Sequence, residues 1–205
     1  MALVKYNNNS ISAITAASSL PTGAMTLIKE ITASSDGTID FVDGTSDVVL
    51  DSTYPIYLFK FINAHASNDD VVFQFQGNAS GGSGFNETIT SAGFDTYHKE
   101  DDSSATLRYL TGGDQAQGTS YQTLATSETE NDASLSGYLY LFNPSSTTFV
   151  KNFMSRTQDT HGSTSADSYY GGYFNTTSAI DEISFKFASG NIDAGTFKLY
   201  GIKDS

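Results

Sequence analysis

Hydrophobic and polar residues alternate along much of this chain, and this period of two constrains its fold more than any other feature. In residues 71–76, Val71, Phe73 and Phe75 fall on one side of an extended strand and two glutamines fall on the other. Successive side chains of a β-strand point to opposite faces, so the pattern predicts half-buried antiparallel strands. The same alternation recurs at residues 135–142, 183–188 and 197–200.

A second kind of strand is indicated at residues 56–62, which are apolar at nearly every position. A short continuous apolar run of this kind is typical of a strand in the middle of a sheet. Together with the alternating segments it predicts the following core: Ile56, Leu58, Ile62, Phe73, Phe75, Leu139, Leu141, Phe185, Phe187, Phe197 and Leu199.

Turn residues separate these strands at regular intervals. Gly, Asn and Asp tolerate the positive φ that tight turns require, and they recur as pairs such as Asp36-Gly37 and Asp43-Gly44. Weaker strands are predicted at residues 25–32, 38–42, 48–50, 87–91, 105–110, 147–154 and 169–174. Polar loops are predicted at residues 112–119, 126–133 and 157–168. About ten to twelve short strands favour a sandwich or barrel. We therefore predict an all-β, jelly-roll-like antiparallel β-sandwich as a single domain over residues 25–205.

Residues 1–24 differ in composition from the rest of the chain. They are rich in Ala, Ser and Asn, and a Pro-Thr-Gly sequence at 21–23 separates them from the first predicted strand. One interpretation is a frayed terminus or a first strand that packs on the sandwich. The other is an N-terminal arm that docks on a neighbouring subunit through Leu3, Val4 and Tyr6.

The charge balance excludes several classes of partner. Ten Lys and Arg against 23 Asp and Glu give a formal net charge of −13, whereas nucleic-acid and anionic membrane surfaces call for clustered positive charge. The absence of Cys excludes disulfides and thiolate metal sites. The sequence shows neither a signal peptide nor an apolar run long enough to cross a membrane, so synthesis in the cytoplasm is expected.

No motif predicts catalysis or a cofactor. The three histidines do not have zinc-ligand spacing, and the chain contains neither a nucleophile elbow nor a phosphate-binding loop. Most acidic residues are predicted to lie in solvated turns, which do not raise a carboxyl pKa as a catalytic acid requires. Acidic segments at 40–51 and 98–103 offer oxygen ligands for calcium, although solvated loops are the favoured interpretation. The prediction is a non-enzymatic protein without a cofactor.

The tyrosines are the remaining functional candidates. Tyr is amphipathic and is enriched at protein interfaces, but it also packs within sheets and stacks on sugars. Tyr169, Tyr170, Tyr173 and Phe174 form the densest aromatic segment of the chain. They are predicted, together with residues of the arm, to form a contact surface.

Four blocks of the sequence resemble virion surface proteins of marine tailed phages. They are DSTYPIYLFKFINAH (51–65), LFNPSSTTFVKNF (141–153), GYFNTTSAI (172–180) and FKFASGNIDAGTFKLYGI (185–202). The resemblance implies a structural role on the particle, as a capsid decoration or fibre subunit, and it carries over no site residues. Other capsid or tail proteins are then the expected partners. By analogy with virion sandwiches we expect a homo-oligomer, with a trimer favoured. The alternative is a tail-fibre-type receptor-binding module that recognises a host surface glycan or protein.

Overall fold

The computed structural model describes residues 24–127, 129–130 and 132–203, and this part of the chain contains thirteen β-strands. In chain order they are β1 (Met25–Thr32), β2 (Ile39–Val42), β3 (Ile56–Ala66), β4 (Val71–Ala79), β5 (Ile89–Lys99), β6 (Ala105–Tyr109), β7 (Ala116–Gly118), β8 (Gln122–Ser127), β9 (Leu135–Phe142), β10 (Lys151–His161), β11 (Thr164–Phe174), β12 (Ile180–Phe187) and β13 (Ile192–Ile202). Over this same part of the chain, no helix has the length and apolar character to span a membrane.

The strands form two antiparallel sheets of unequal size. The large sheet has nine strands, in the order β1-β13-β3-β9-β10-β11-β5-β6, with β7 also paired to β5. The small sheet has four strands, in the order β2-β12-β4-β8. The predicted all-β antiparallel sandwich is confirmed, while the jelly-roll connectivity stays a prediction. The arm, including Leu3, Val4 and Tyr6, lies outside the described residues except for Ala24.

Phenylalanine rings fill the space between the sheets. Phe185, on the small sheet, is fully buried, and its ring centroid lies 5.1 Å from that of Phe61 and 5.5 Å from that of Phe59 on the large sheet. Edge-to-face and tilted contacts of this kind add to the stabilisation that burial of the rings provides. Eight predicted core residues are buried here: Phe73, Phe75, Leu139, Leu141, Phe185, Phe187, Phe197 and Leu199.

The predicted orientation of β3 is wrong by one residue. Tyr57, Phe59 and Phe61 point into the core. Of the residues predicted for the core on this strand, Ile56 and Ile62 are not buried. Leu58 lies on the same outward face but is only 3% exposed, so its predicted burial is confirmed. Both faces of this strand are apolar, so periodicity alone does not set its orientation. Only Lys60, which shares the outward face, distinguishes the two faces in the sequence.

All three predicted loops overlap strands of the sheets. Residues 157–168 form the turn of the β10–β11 hairpin and the strand segments next to it. The predicted loop at 112–119 contains β7, and β8 extends to Ser127, inside the predicted loop at 126–133. The inward residues of β10 change from Phe153 to Ser155, Thr157 and Asp159, so the apolar half of the alternation disappears there. The strand predicted at residues 48–50 does not form, although Val48 and Leu50 are buried.

Candidate functional site

A polar groove runs along the edge of the small sheet, where β5 and β6 extend past β8. Two adjoining cavities of about 410 and 440 Å³ share Asp95, Arg108, Thr126 and Ser168 as lining residues, so they form one continuous groove. Its two walls are the edge strand β8 and the inner face of β11, β5 and β6. Ligand pockets in proteins typically measure about 300–1,000 Å³.

An aspartate–arginine pair lies at the centre of this groove. Asp95 on β5 is 3% exposed and faces Arg108 across the β5–β6 register. The guanidinium binds the carboxylate through Nε–Oδ1 and Nη2–Oδ2 contacts of 2.8 and 2.9 Å, and its Cζ lies 5.1 Å from the centroid of the Tyr97 ring. The hydrogen bond with Asp95 raises the pKa of Arg108 above its ordinary value. The pair is therefore charged, planar and fixed in orientation.

Gln122 lies behind the end of the groove that Gly113 lines. Its side chain is fully buried, accepts a hydrogen bond from the Ser91 hydroxyl at 2.6 Å and donates one to the Gly113 carbonyl at 2.7 Å. These bonds link the start of β8 to β5 and to the loop after β6. They hold the two walls of the groove at a fixed separation.

Tyr170 forms the floor of the groove near Gly113. Its ring occupies the space that a side chain would need at Gly93, and its hydroxyl occupies the corresponding space at Gly113. Burial, with a smaller contribution from the charge of Asp95, raises the pKa of the Tyr170 phenol far above its usual range. The two glycines are thus required by close packing against this ring.

The opposite end of the groove lies at the β10–β11 turn. Asp159, His161 and Lys99 line it, together with Thr164. Asp159 lies on the inner face of β10, where this strand extends past the phenylalanine core. This residue is nevertheless only 2% exposed. The groove therefore presents charges of both signs and several hydroxyl groups.

On the other side of the large sheet, the outer face is unusually apolar. Eight large hydrophobic side chains are strongly exposed among the described residues, and all but Phe149 lie on this face: Met25, Leu27, Ile62, Phe94, Leu107, Tyr109 and Met154. A cavity of about 460 Å³ between Phe94, Met154 and Tyr169 indents the face above the small residues Ala92 and Gly171. The exposed side chains that line this cavity, Phe94, Tyr109 and Met154, form an apolar patch of the kind that marks interaction sites.

One row of paired residues crosses the whole outer face. It consists of Glu30, Lys198, Lys60, Tyr138, Arg156, Tyr169, Phe94 and Tyr109, each in register with the next. Lys198 binds Glu30 at 2.9 Å, and Arg156 binds Asp167 at 2.7 Å. The Phe94 and Tyr169 rings stack with centroids 4.9 Å apart. Two lysines therefore lie on one side of the central residues Tyr138 and Arg156, and three aromatic rings lie on the other side.

The structure divides the predicted tyrosine contact surface between the two faces of β11. Tyr169 and Tyr173 point to the outer face, whereas Tyr170 is 4% exposed and Phe174 is fully buried. Tyr170 and Phe174 therefore cannot belong to one exposed surface with Tyr169 and Tyr173, and a contact surface stays a prediction for the latter two only. Neighbouring residues of a strand face opposite ways, so local aromatic density does not create one patch.

The residues at the centre of the groove were not singled out by the sequence. Asp95 and Asp159 lie beyond the ends of the predicted strands at 87–91 and 147–154, because those strands continue to Lys99 and His161. One feature of the sequence could have located this pair. Asp95 and Arg108 have opposite charges and flank the acidic turn at 100–104, so a hairpin that pairs them across its two strands could have been predicted.

The acidic loops mainly support their own turns. Asp51 accepts a hydrogen bond from the backbone N–H of Thr53, and Asp101 accepts one from that of Ser103. Throughout the described ranges, no group of three or more His, Cys, Asp or Glu side chains is arranged to hold a metal ion. These carboxylates act as turn caps in the structure.

No protein-family model, curated protein or solved structure matches this chain.

Two buried tyrosines lead to a prediction about alkaline pH. Burial raises the pKa of Tyr57 and of Tyr170 above the ordinary value of 10.0, so both phenols stay neutral in the folded protein while the unfolded chain ionises them. Their contribution to stability is full below pH 10 and is lost as the pH rises above it. We expect the free energy of unfolding to fall between about pH 9 and about pH 11, with a smaller fall in Tyr170→Phe.

This expectation is checked by denaturant unfolding at the two pH values, with tyrosinate absorbance recorded on the folded protein. Part of the tyrosine absorbance change should appear only on unfolding. Full ionisation of every tyrosine in a protein that remains folded would contradict the assignment.

Proposed function

We propose that this protein is a non-enzymatic structural protein of a phage particle surface and that it assembles through the outer face of its large sheet. The observation that supports assembly is the concentration of exposed hydrophobic side chains on that one face. The phage setting rests on the sequence resemblance. Many equivalent copies on a particle allow a modest contact per copy to act collectively.

The occupant of the face that we propose is a second copy of this chain. The central part of the face carries Lys60, Lys198 and Arg156 against Glu30 and Asp167, so it is close to neutral, whereas the whole chain has a charge of −13. Two copies approach with little repulsion only through a neutral surface. The face also spans eight strands, roughly 34 Å at ~4.8 Å per strand, which is wide enough for a standard interface.

The cross-strand row favours a two-fold arrangement over the trimer expected by analogy with virion sandwiches. With a two-fold axis parallel to the strands, between β9 and β10, Lys198 would face the partner's Phe94, and Lys60 would face the partner's Tyr169. At the centre, Tyr138 would face the partner's Arg156. Each of these three pairs combines a cation with an aromatic ring, a contact worth about 0.5–2 kcal/mol. The outermost pair places Glu30 opposite the partner's Tyr109. The row is therefore self-complementary, as an isologous interface requires.

Replacing Met154 by Asp is expected to abolish self-association. Met154 is 58% exposed and lies beside the proposed axis, in register with Tyr140. The new carboxylate would therefore be removed from water in the contact, opposite the partner's Tyr140. Sedimentation or light scattering should give twice the chain mass for the native protein at micromolar concentration and the chain mass for Met154→Asp.

Phe149→Asp is the matched control. Phe149 is 69% exposed, but it lies in the loop between β9 and β10, away from the row. This variant should associate like the native protein. A monomeric native protein, a trimer, or equal effects of the two substitutions would overturn the two-fold arrangement.

The particle setting is tested separately. Quantitative mass spectrometry of purified phage particles should detect the protein as a stoichiometric component. Its absence from particles that carry its gene would overturn the proposed virion role without affecting the self-association result.

The second candidate function is that of a receptor-binding module, and the groove is the observation that favours it. A fixed polar cleft on the side of the sheet opposite the assembly face leaves room for a ligand in the assembled protein. Saturable adsorption of the purified protein to host cells would support this function, and binding only to particles would contradict it.

A further inference from the structure

We propose that the groove between β8 and the β5–β6–β11 face binds a neutral saccharide, with Arg108, Asp95, Thr126 and Ser168 as the recognising groups. This inference names the ligand class and residues of the second candidate function and rests on it. It does not depend on self-association through the outer face.

The charges of the groove favour a neutral ligand. The carboxylate of Asp95 is compensated by Arg108, and Lys99 and Asp159 at the open end have opposite signs. A polyanion would also meet the field of a chain with a net charge of −13. A bare metal ion would lack ligands, since the part of the chain that the structure describes contains no cluster of three suitable side chains.

The hydrogen-bonding groups match adjacent hydroxyls. Arg108 has five N–H groups and uses two of them on Asp95, which leaves three for other acceptors. Thr126 and Ser168 line the same two cavities, and a hydroxyl group can both donate and accept a hydrogen bond. A saccharide presents the same mixture, with each hydroxyl acting as donor and acceptor. The groove therefore offers complementary partners at several neighbouring positions.

The site is also organised before any ligand binds. The planar guanidinium is held by the buried carboxylate of Asp95 and by the Tyr97 ring, and Gln122 fixes the separation of the walls. Fixing the recognising groups in advance reduces the entropy lost on binding. An extended peptide is less favoured because strand addition needs apolar pockets for alternate side chains, whereas this groove is lined mainly by polar residues.

The test uses the full chain on an array of neutral and acidic oligosaccharides, followed by calorimetric titration of the saccharides that bind. We expect at least one neutral oligosaccharide to bind. Arg108→Gln should weaken its binding about tenfold or more, since hydrogen bonds from charged groups are stronger than those between neutral groups. Thr126→Val, which keeps the shape and loses the hydroxyl, provides a second variant if Arg108→Gln is poorly folded.

Arg156→Gln is a closely matched control, because the outer face carries the same constellation. Arg156 binds Asp167 through Nε and Nη2 contacts of 2.9 and 2.7 Å, and its Cζ lies 5.2 Å from the Tyr169 ring centroid. Arg156→Gln should weaken self-association and leave saccharide affinity per chain unchanged, while Arg108→Gln should do the reverse.

Three outcomes would overturn the saccharide site. They are no neutral saccharide bound at millimolar concentration, equal loss of affinity in the two arginine variants, and preference for extended peptides in a parallel peptide array. Host adsorption that persists without saccharide binding would leave the receptor-binding function standing and remove only this ligand class.

Discussion

Replacing Phe185 by Ala is expected to lower the free energy of unfolding by about 3–5 kcal/mol, the range measured for large-to-small core substitutions. Phe185 is fully buried, and its ring contacts six other phenylalanine rings: Phe41, Phe59, Phe61, Phe73, Phe75 and Phe197. These rings come from both sheets, so the cavity would lie in the middle of the sandwich. Neighbours fixed in two sheets relax poorly into such a cavity.

Chemical denaturation measures the change directly. Phe185→Leu keeps most of the side-chain volume and should lower the free energy of unfolding clearly less than Phe185→Ala does. Phe149→Ala, at an exposed loop position, should change it by less than ~0.5 kcal/mol. Since a domain is stabilised by only about 5–15 kcal/mol, Phe185→Ala should also show a clearly lower melting temperature. Native stability in Phe185→Ala would mean that this ring is not central to the core.

The second large effect is expected for Gly137→Ala. Gly137 lies in β9 between β3 and β10, and a Cβ atom there would collide with the carbonyl oxygen of Arg156 and lie 2.8 Å from the Cα of Thr157. Both atoms belong to the backbone of a paired strand and cannot move without breaking the ladder. We expect a loss of roughly 3 kcal/mol, at the upper end of the overpacking range.

Gly112→Ala is the control for this substitution. Gly112 has no heavy atom within 4 Å of an added Cβ and does not have a positive φ. Alanine should therefore be neutral or slightly stabilising there, because it restricts the unfolded chain. Equal melting temperatures for the two variants would show that the sheet adjusts at Gly137.

The part of the fold that the sequence predicted is the part that packs against the phenylalanine core. Strands such as β4 and β12 have one apolar and one polar face, so their alternation is visible in the sequence and fixes which residues are buried. β3 was identified as a strand, but its orientation was not, because apolar residues occupy both of its faces. Its outward isoleucines are explained only by the exposed apolar surface of the large sheet.

The groove could not be predicted in the same way. Where β10, β11 and β5 leave the core, their inner faces carry Ser, Thr, Asp and Tyr, and a strand that is polar on both faces has the sequence pattern of a loop. Two of the proposed recognising groups, Asp95 and Ser168, lie on such segments. Asp95 and Arg108 are 13 residues apart, and Thr126 comes from the opposite sheet. No local pattern brings them together.

The sequence by itself therefore determined the class of this protein: antiparallel strands, a phenylalanine core and an acidic exterior. It did so because burial of one face of a strand leaves a period-two record in the residues. The tertiary structure alone decided that the large sheet extends past the small one and which face of β3 is inside. It also decided that the Arg108–Asp95 pair lies in a groove while the similar Arg156–Asp167 pair lies on the outer face. Those features depend on strand order and register, which are set by contacts between segments far apart in the chain.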